Sequence, residues 1–69
     1  MRLSTRNQLH ATVTHVQAGE AMAVVKVTLD TGQEMTASIT REAAVDLALE
    51  PGSKVTVLVK STEVMLAVD

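Results

Sequence analysis

Hydrophobic and polar residues alternate along much of the chain, which is typical of β-strands with one face in a core. Gln8–Gln17, rich in Thr and Val, is predicted to be the first strand and to end at the turn Ala18–Glu20. Ala21–Leu29 and Glu34–Ile39 are the second and third strands, and Asp30–Gly32 between them favours a hairpin turn. One face of the second strand is wholly apolar and is expected to lie in the core: Ala23, Val25, Val27 and Leu29.

A short helix is predicted to follow the third strand. Thr40 is a favourable N-cap residue, and Glu42 lies in the first turn, where a negative charge interacts favourably with the helix dipole. The helix is predicted over Arg41–Leu49, with an apolar stripe that begins at Ala44. The sequence Glu50-Pro51-Gly52 then ends the helix and turns the chain.

Two valine-rich segments complete the predicted sheet. Lys54–Lys60 is the fourth strand, and Val64–Val68 is the fifth, with apolar residues on both of its faces. A strand of that kind is buried on both faces, so we expect a second subunit to cover it. The order of elements predicts a mainly β protein, a small OB-like five-stranded barrel with one short helix that plugs an end.

Composition narrows the classes of function. The chain has 69 residues, no cysteine, no aromatic residue and a formal net charge of −2. We therefore expect one domain, residues 1–69, and no binding to nucleic acid, because OB-type nucleic-acid binders present stacking aromatics on a basic groove. A hydrophobic fraction of 46% is high for so small a domain and favours a homo-oligomer. No nucleophile–base pair, metal-ligand motif or phosphate-binding glycine loop is apparent, so we expect no enzyme and no cofactor.

The apolar runs are too short to span a bilayer, and the first residues lack the pattern of a signal peptide. We therefore expect a cytoplasmic protein with no membrane partner, which the absence of cysteine also fits.

Three polar clusters carry the candidate chemistry. Ser4–Gln8 and Lys60–Thr62 each combine a cation with hydroxyl groups, and Thr40–Ala43 lies where the helix begins and presents N–H groups. Each cluster also has an ordinary interpretation: a frayed N-terminal segment, a polar turn between strands, and a simple N-cap. Together they favour a site for a small tetrahedral dianion.

The clusters also carry a resemblance to a known family. The chain resembles the molybdate-binding Mop domains, or molbindins, a branch of the TOBE domains. The family opens with Ser-Ala-Arg-Asn-Gln, and this chain has Ser4-Thr5-Arg6-Asn7-Gln8. Thr36-Ala37-Ser38-Ile39-Thr40, Leu49-Glu50-Pro51-Gly52 and Lys60-Ser61-Thr62-Glu63-Val64-Met65 also look like family segments. The resemblance spans nearly the whole chain.

The resemblance implies a cytoplasmic protein that binds molybdate, and tungstate as well, as a store or buffer. It implies a homo-oligomer, a hexamer built as a trimer of dimers, with the anion between subunits. The residues implied at that site are Ser4, Thr5, Arg6, Thr40, Ala43, Lys60 and Ser61. Thr5 replaces the usual Ala and is expected to act through its backbone. Ala43 stands where many members have Ser, so only its amide remains.

Other interpretations stay open. TOBE-type domains also serve as sensor modules in transporters and transcription factors, so a stand-alone oxyanion-sensing regulatory module is the alternative function. An OB-type nucleic-acid-binding protein is a weaker alternative. His10 and His15 are five residues apart, which places them on opposite faces of a regular strand, so they are a poor metal pair.

Overall fold

A computed structural model describes residues 2–69 of the chain. The elements it contains there are β1 (Asn7–Ala18), β2 (Met22–Leu29), β3 (Glu34–Thr40), α1 (Arg41–Asp46) and β4 (Lys54–Val59), followed by a single 3-10 turn at Ser61–Glu63. No helix within residues 2–69 has the length and apolar character needed to cross a membrane.

The four strands form one antiparallel sheet in the order β3-β2-β1-β4. The central strand β1 is long enough to pair with two partners: Asn7–Thr12 pairs with β4, and Ala11–Ala18 pairs with β2. The sheet curls around its apolar face as a half-barrel. The predicted hairpin between the second and third strands is confirmed, and Gly32 in its turn has the positive φ of 99° that glycine tolerates without strain.

The core lies on the concave face of the curled sheet. Val13, only 1% exposed, pairs with Val27 at its centre, and Val25 and Ala11 pack beside them. The prediction for the second strand is confirmed for Ala23, Val25 and Val27, which are buried, whereas Leu29 at the strand's end is half-buried. The sequence pattern therefore predicts which face of the sheet holds the core.

A β-bulge in β1 overturns the prediction for the two histidines. The register shifts between Val13 and His15, so that His15 pairs with Lys26 on the outer face of the sheet. His10, which precedes inward-facing Ala11, lies on that outer face as well. The alternation rule failed because the bulge inserts one extra residue between the two histidines. Among residues 2–69, no group of three His, Cys, Asp or Glu side chains is placed to hold a metal ion.

Helix α1 ends three residues earlier than predicted. The prediction ran to Leu49, but the helix stops at Asp46, and Ala48 has a left-handed φ of 50°. The Ala48 N–H donates to the Val45 carbonyl and the Leu49 N–H to the Ala44 carbonyl, which together form a Schellman C-cap. The apolar periodicity continues past the helix because Leu49 turns back to pack against the core.

The predicted fifth strand does not form in the single chain. Residues 64–68 have no place in the sheet, and Met65, Leu66 and Val68 are 91%, 94% and 97% exposed. The barrel is therefore four-stranded and open, rather than five-stranded and closed. The apolar sequence of this segment predicts that its side chains are buried, but the single chain leaves them exposed.

We expect Ala48→Gly to stabilise the protein by about 0.5–1 kcal/mol, because glycine adopts the left-handed conformation without a Cβ clash. Urea unfolding at fixed protein concentration measures the change. Ala44→Gly, inside the same helix, is the matched control and should destabilise by about 1 kcal/mol. A lower unfolding midpoint for Ala48→Gly would contradict a left-handed C-cap at Ala48.

Candidate functional site

The polar clusters Ser4–Gln8 and Lys60–Thr62 lie side by side at one end of the sheet. The first residue of β1, Asn7, pairs with the last residue of β4, Val59, and the Asn7 side-chain amide donates to the Val59 carbonyl at 3.2 Å. Arg6 directly precedes this pair and Lys60 directly follows it. The two cations therefore leave the sheet next to each other in the same chain. We call Ser4, Thr5, Arg6, Lys60 and Ser61 the cationic end.

Two residues that the sequence analysis did not assign hold the opening segment in place. Asn7 closes the β1–β4 pairing with its side chain, and the Gln8 side-chain amide donates to the Thr5 carbonyl at 2.9 Å. Polar side chains often form such local hydrogen bonds to the backbone. The residue types Asn and Gln at the start of a strand were therefore a signal for these two contacts. Ser4 and Arg6 remain exposed, and Thr5 is half-buried. The donors of the cationic end are thus accessible on a fixed backbone.

Thr40 begins α1 as predicted. Its side-chain oxygen accepts a hydrogen bond from the Ala43 N–H at 3.0 Å, which confirms the N-cap. A hydroxyl group has one proton and two lone pairs, so Thr40 can still donate to a ligand while it caps the helix. The Ala43 N–H, in contrast, already has a partner, so an anion would have to share it with Thr40. We call Thr40 and Ala43 the helix end.

Arg41 attaches the helix end to the β1–β2 turn. Its backbone N–H donates to the Ala21 carbonyl at 2.9 Å, and its guanidinium Nη1 donates to the Gly19 carbonyl at 3.2 Å. The sequence indicated a cluster of donors here but gave no sign of this contact, which joins residues 22 positions apart. Arg41 therefore fixes the backbone from which Thr40 projects.

The surroundings of the helix end are acidic. An open groove of about 500 Å³ borders Thr40 and Arg41, and its carboxylates are Glu20, Glu42 and Asp46. Three negative charges against one guanidinium oppose the binding of a dianion. The helix end alone is therefore a poor anion site, although its hydroxyl and amide groups have suitable chemistry.

One chain holds the cationic end and the helix end far apart. Thr40 pairs with Met22, next to the pair Ala18–Ala23 that ends β1, whereas the cationic end lies beyond Asn7. Asn7 and Ala18, the ends of the twelve-residue β1, lie up to roughly 36 Å apart at about 3.3 Å per residue step. The longest dimension of the chain is 37 Å. The structure thus brings together the residues from the two chain termini but does not bring them to Thr40 or Ala43.

The fold and the sequence both place the chain in a known family. Residues 3–66 match the TOBE domain family, and the chain belongs to it. It is 45% identical over 67 residues to the molybdenum-pterin-binding protein MopA of Rhodobacter capsulatus; the match covers 97% of this chain and 25% of MopA. The chain thus spans a quarter of the length of that relative.

Two solved structures have the same fold over almost their whole length. One is a molybdate-binding protein from Sporomusa ovata, with a TM-score of 0.92, 43% identity and coverage of 97% of this chain and 98% of that one. The other is MopII from Clostridium pasteurianum, with a TM-score of 0.91, 31% identity and coverage of 97% and 100%. These matches confirm the mainly β, OB-like fold with one short helix. The relatives MopA and the Sporomusa ovata protein are both named as binding proteins, which agrees with the expected function class.

We expect Thr40→Ala to destabilise the protein by about 1 kcal/mol in the absence of any anion, because the Ala43 N–H loses its acceptor. Thr40→Ser keeps the hydroxyl oxygen, so its free energy of unfolding should differ from that of the original protein by only a few tenths of that value. Thermal unfolding of the three proteins at equal concentration makes the comparison. Equal losses for Ala and Ser would mean that the methyl group, and not the cap, carries the effect.

Proposed function

We propose that this protein binds molybdate, and also tungstate, as a cytoplasmic store or buffer of the oxyanion. The observation that carries the proposal is the side-by-side position of Arg6 and Lys60 beside the Asn7–Val59 pair, with hydroxyl groups next to both cations. The similarity to a molybdate-binding protein and to MopA supports the choice of ligand. The absence of cysteine is compatible with a reducing compartment.

The chemistry of the cationic end suits a tetrahedral dianion. In the proposed site, the planar guanidinium of Arg6 donates two parallel hydrogen bonds to two oxygens, and Lys60 supplies a compact positive charge. The hydroxyls of Ser4 and Ser61 rotate to meet the remaining oxygens, and Thr5 contributes through its backbone. The two cations of the cationic end match the two negative charges of the ligand.

We propose that the helix end of a neighbouring subunit completes the site with the Thr40 hydroxyl and a shared Ala43 amide. The length of β1, up to roughly 36 Å, supports this arrangement, because the two ends lie at opposite ends of the strand and one chain does not bring them to a single small anion. Charge supports it as well: the cationic end of one subunit is attracted to the acidic groove beside Thr40 in the next. The proposed assembly is a homo-oligomer, a hexamer arranged as a trimer of dimers.

Native mass spectrometry with and without molybdate tests the proposal directly. We expect an oligomer that gains the mass of a fixed number of molybdate ions, and the same count with tungstate. Phosphate at the same concentration and a single-stranded oligonucleotide serve as comparison ligands. An oligomer that retains the oligonucleotide but no molybdate would contradict the proposed function.

We expect Arg6→Ala and Lys60→Ala each to weaken molybdate binding about tenfold or more, because a hydrogen bond to a charged group contributes about 1.5–3 kcal/mol. Arg6→Lys should recover little of this loss, since an ammonium group cannot form the paired contact. Isothermal titration calorimetry measures the affinities. Lys26→Ala, which removes a cation from the outer face of β2, is the control and should bind normally. Unchanged affinity in both site variants would remove the cationic end as the site.

We also expect molybdate to stabilise the assembly. A ligand that binds only the folded oligomer stabilises it by RT ln(1 + [L]/Kd), about 2.7 kcal/mol at a hundredfold excess over Kd. Molybdate should therefore raise Tm and lower the protein concentration at which subunits separate. Differential scanning calorimetry and analytical ultracentrifugation measure the two effects. A rise in Tm with no change in dissociation would place the anion within a single subunit.

A further inference from the structure

The guanidinium group of Arg41 lies at the acidic groove, and the fold uses only part of its capacity to donate hydrogen bonds. Its Nη1 donates to the Gly19 carbonyl at 3.2 Å, and that carbonyl is its one hydrogen-bond acceptor among residues 2–69. A guanidinium carries several N–H donors in a fixed planar fork. The side chain of Arg41 is also exposed. Most of its donors are therefore available to a ligand.

The contact with Gly19 holds these donors in place. The Gly19 N–H donates to the Met22 carbonyl at 2.7 Å, which closes the β1–β2 turn and fixes the Gly19 carbonyl. The Arg41 backbone is fixed as well, through the bond from its N–H to the Ala21 carbonyl. A side chain that is already ordered loses less conformational freedom when a ligand binds to it. Arg41 is thus a preorganised donor group.

Arg41 lies beside the hydroxyl group that the proposed site requires. It follows Thr40 directly, so the two Cα atoms are about 3.8 Å apart, and both residues border the same groove. The Ala43 N–H is already bonded to the Thr40 oxygen. Hydrogen bonds from a charged donor to an anion are roughly twice as strong as those between neutral groups. The guanidinium is therefore the strongest donor for an anion that contacts Thr40 from the groove.

The charges of the groove also favour a role for Arg41 in binding. The groove has three carboxylates, and Arg41 is the cation of the same chain that borders it. In the proposed assembly, Arg6 and Lys60 of a neighbouring subunit bring two more positive charges. With Arg41, the cations equal the carboxylates in number. Without it, a dianion would enter surroundings of net negative charge, which oppose its binding.

We propose that Arg41 is a further oxyanion-binding residue and the third cation of the composite site. While Nη1 keeps its bond to the Gly19 carbonyl, other N–H groups of the same guanidinium donate to the anion that Thr40 contacts. The inference rests on the proposed function, because the anion in question is the proposed molybdate. It explains how a groove rich in carboxylates accepts a dianion.

Arg41→Gln separates the charge of this residue from its contact with the turn. The glutamine amide is neutral, but its NH2 group can still donate to the Gly19 carbonyl. Lys26→Gln makes the same change of charge on the outer face of β2 and is the matched control. Isothermal titration calorimetry with sodium molybdate measures the affinity of the original protein and of both variants. Thermal unfolding without molybdate measures their stability.

We expect Arg41→Gln to bind molybdate about tenfold more weakly than the original protein, because it loses a hydrogen bond from a charged group. Its Tm without molybdate should equal that of Lys26→Gln, and Lys26→Gln should bind like the original. Equal affinities for the two variants would overturn the proposal. A weaker affinity accompanied by a lower Tm without molybdate would also overturn it, because Arg41 would then act only by holding the turn.

The guanidinium resonances in NMR spectra provide a second readout, which a purely structural role would not change. In isotope-labelled protein, the Arg41 Nε–H resonance is identified by its absence from the spectrum of Arg41→Gln. The Arg6 resonance is identified in the same way from Arg6→Ala. We expect molybdate to shift both resonances. A shifted Arg6 resonance with an unchanged Arg41 resonance at saturating molybdate would remove Arg41 from the site.

The failure of this inference is distinguishable from the failure of the proposed function. An original protein that binds no molybdate would remove the function and the role of Arg41 together. A protein that loses affinity in Arg6→Ala and keeps it in Arg41→Gln would leave the function standing and remove only the role of Arg41.

Discussion

The pairing of β1 with two partners is the constraint on which the rest of the structure depends. Its first half pairs with β4 and its second half with β2, and Val13 lies near the junction with its side chain in the core. The Val13 backbone also bonds to the loop before β4, through the Gly52 N–H and the Ser53 carbonyl. One strand therefore organises the core, the curl of the sheet and the positions of both chain termini.

The same strand determines how the site residues are divided. Its N-terminal end places Arg6 beside Lys60, and its C-terminal end leads into the turn that Arg41 holds against the start of α1. Arg6 and Lys60 lie at one end, whereas three carboxylates outnumber Arg41 at the other. This separation of charge in one subunit favours contacts between opposite ends of different subunits, so the electrostatics of the chain and the division of its site point to the same kind of assembly.

The half-barrel also shows why so small a chain is so hydrophobic. Within residues 2–69, six hydrophobic side chains are buried, whereas 46% of all residues are hydrophobic. Much of the remainder lies on the open concave side of the half-barrel, in α1 and in the C-terminal segment. A chain of this size gains little from its own core. In the proposed oligomer, another subunit would supply apolar burial that residues 2–69 do not provide among themselves.

The sequence by itself determined the local structure and the types of residue in the site. Alternation identified β2 and its core face, and Thr40 identified the start of α1. The opening pentapeptide and Lys60-Ser61 indicated the cations and hydroxyls of the proposed site. Only the tertiary structure decided three features. These are the bulge that places His10 and His15 on one face, the joining of the two termini beside Asn7 and Val59, and the failure of Val64–Val68 to pair within its own chain. Local patterns record which residues avoid water, whereas strand register and the choice of partner depend on contacts between residues far apart in the chain or in different copies of it.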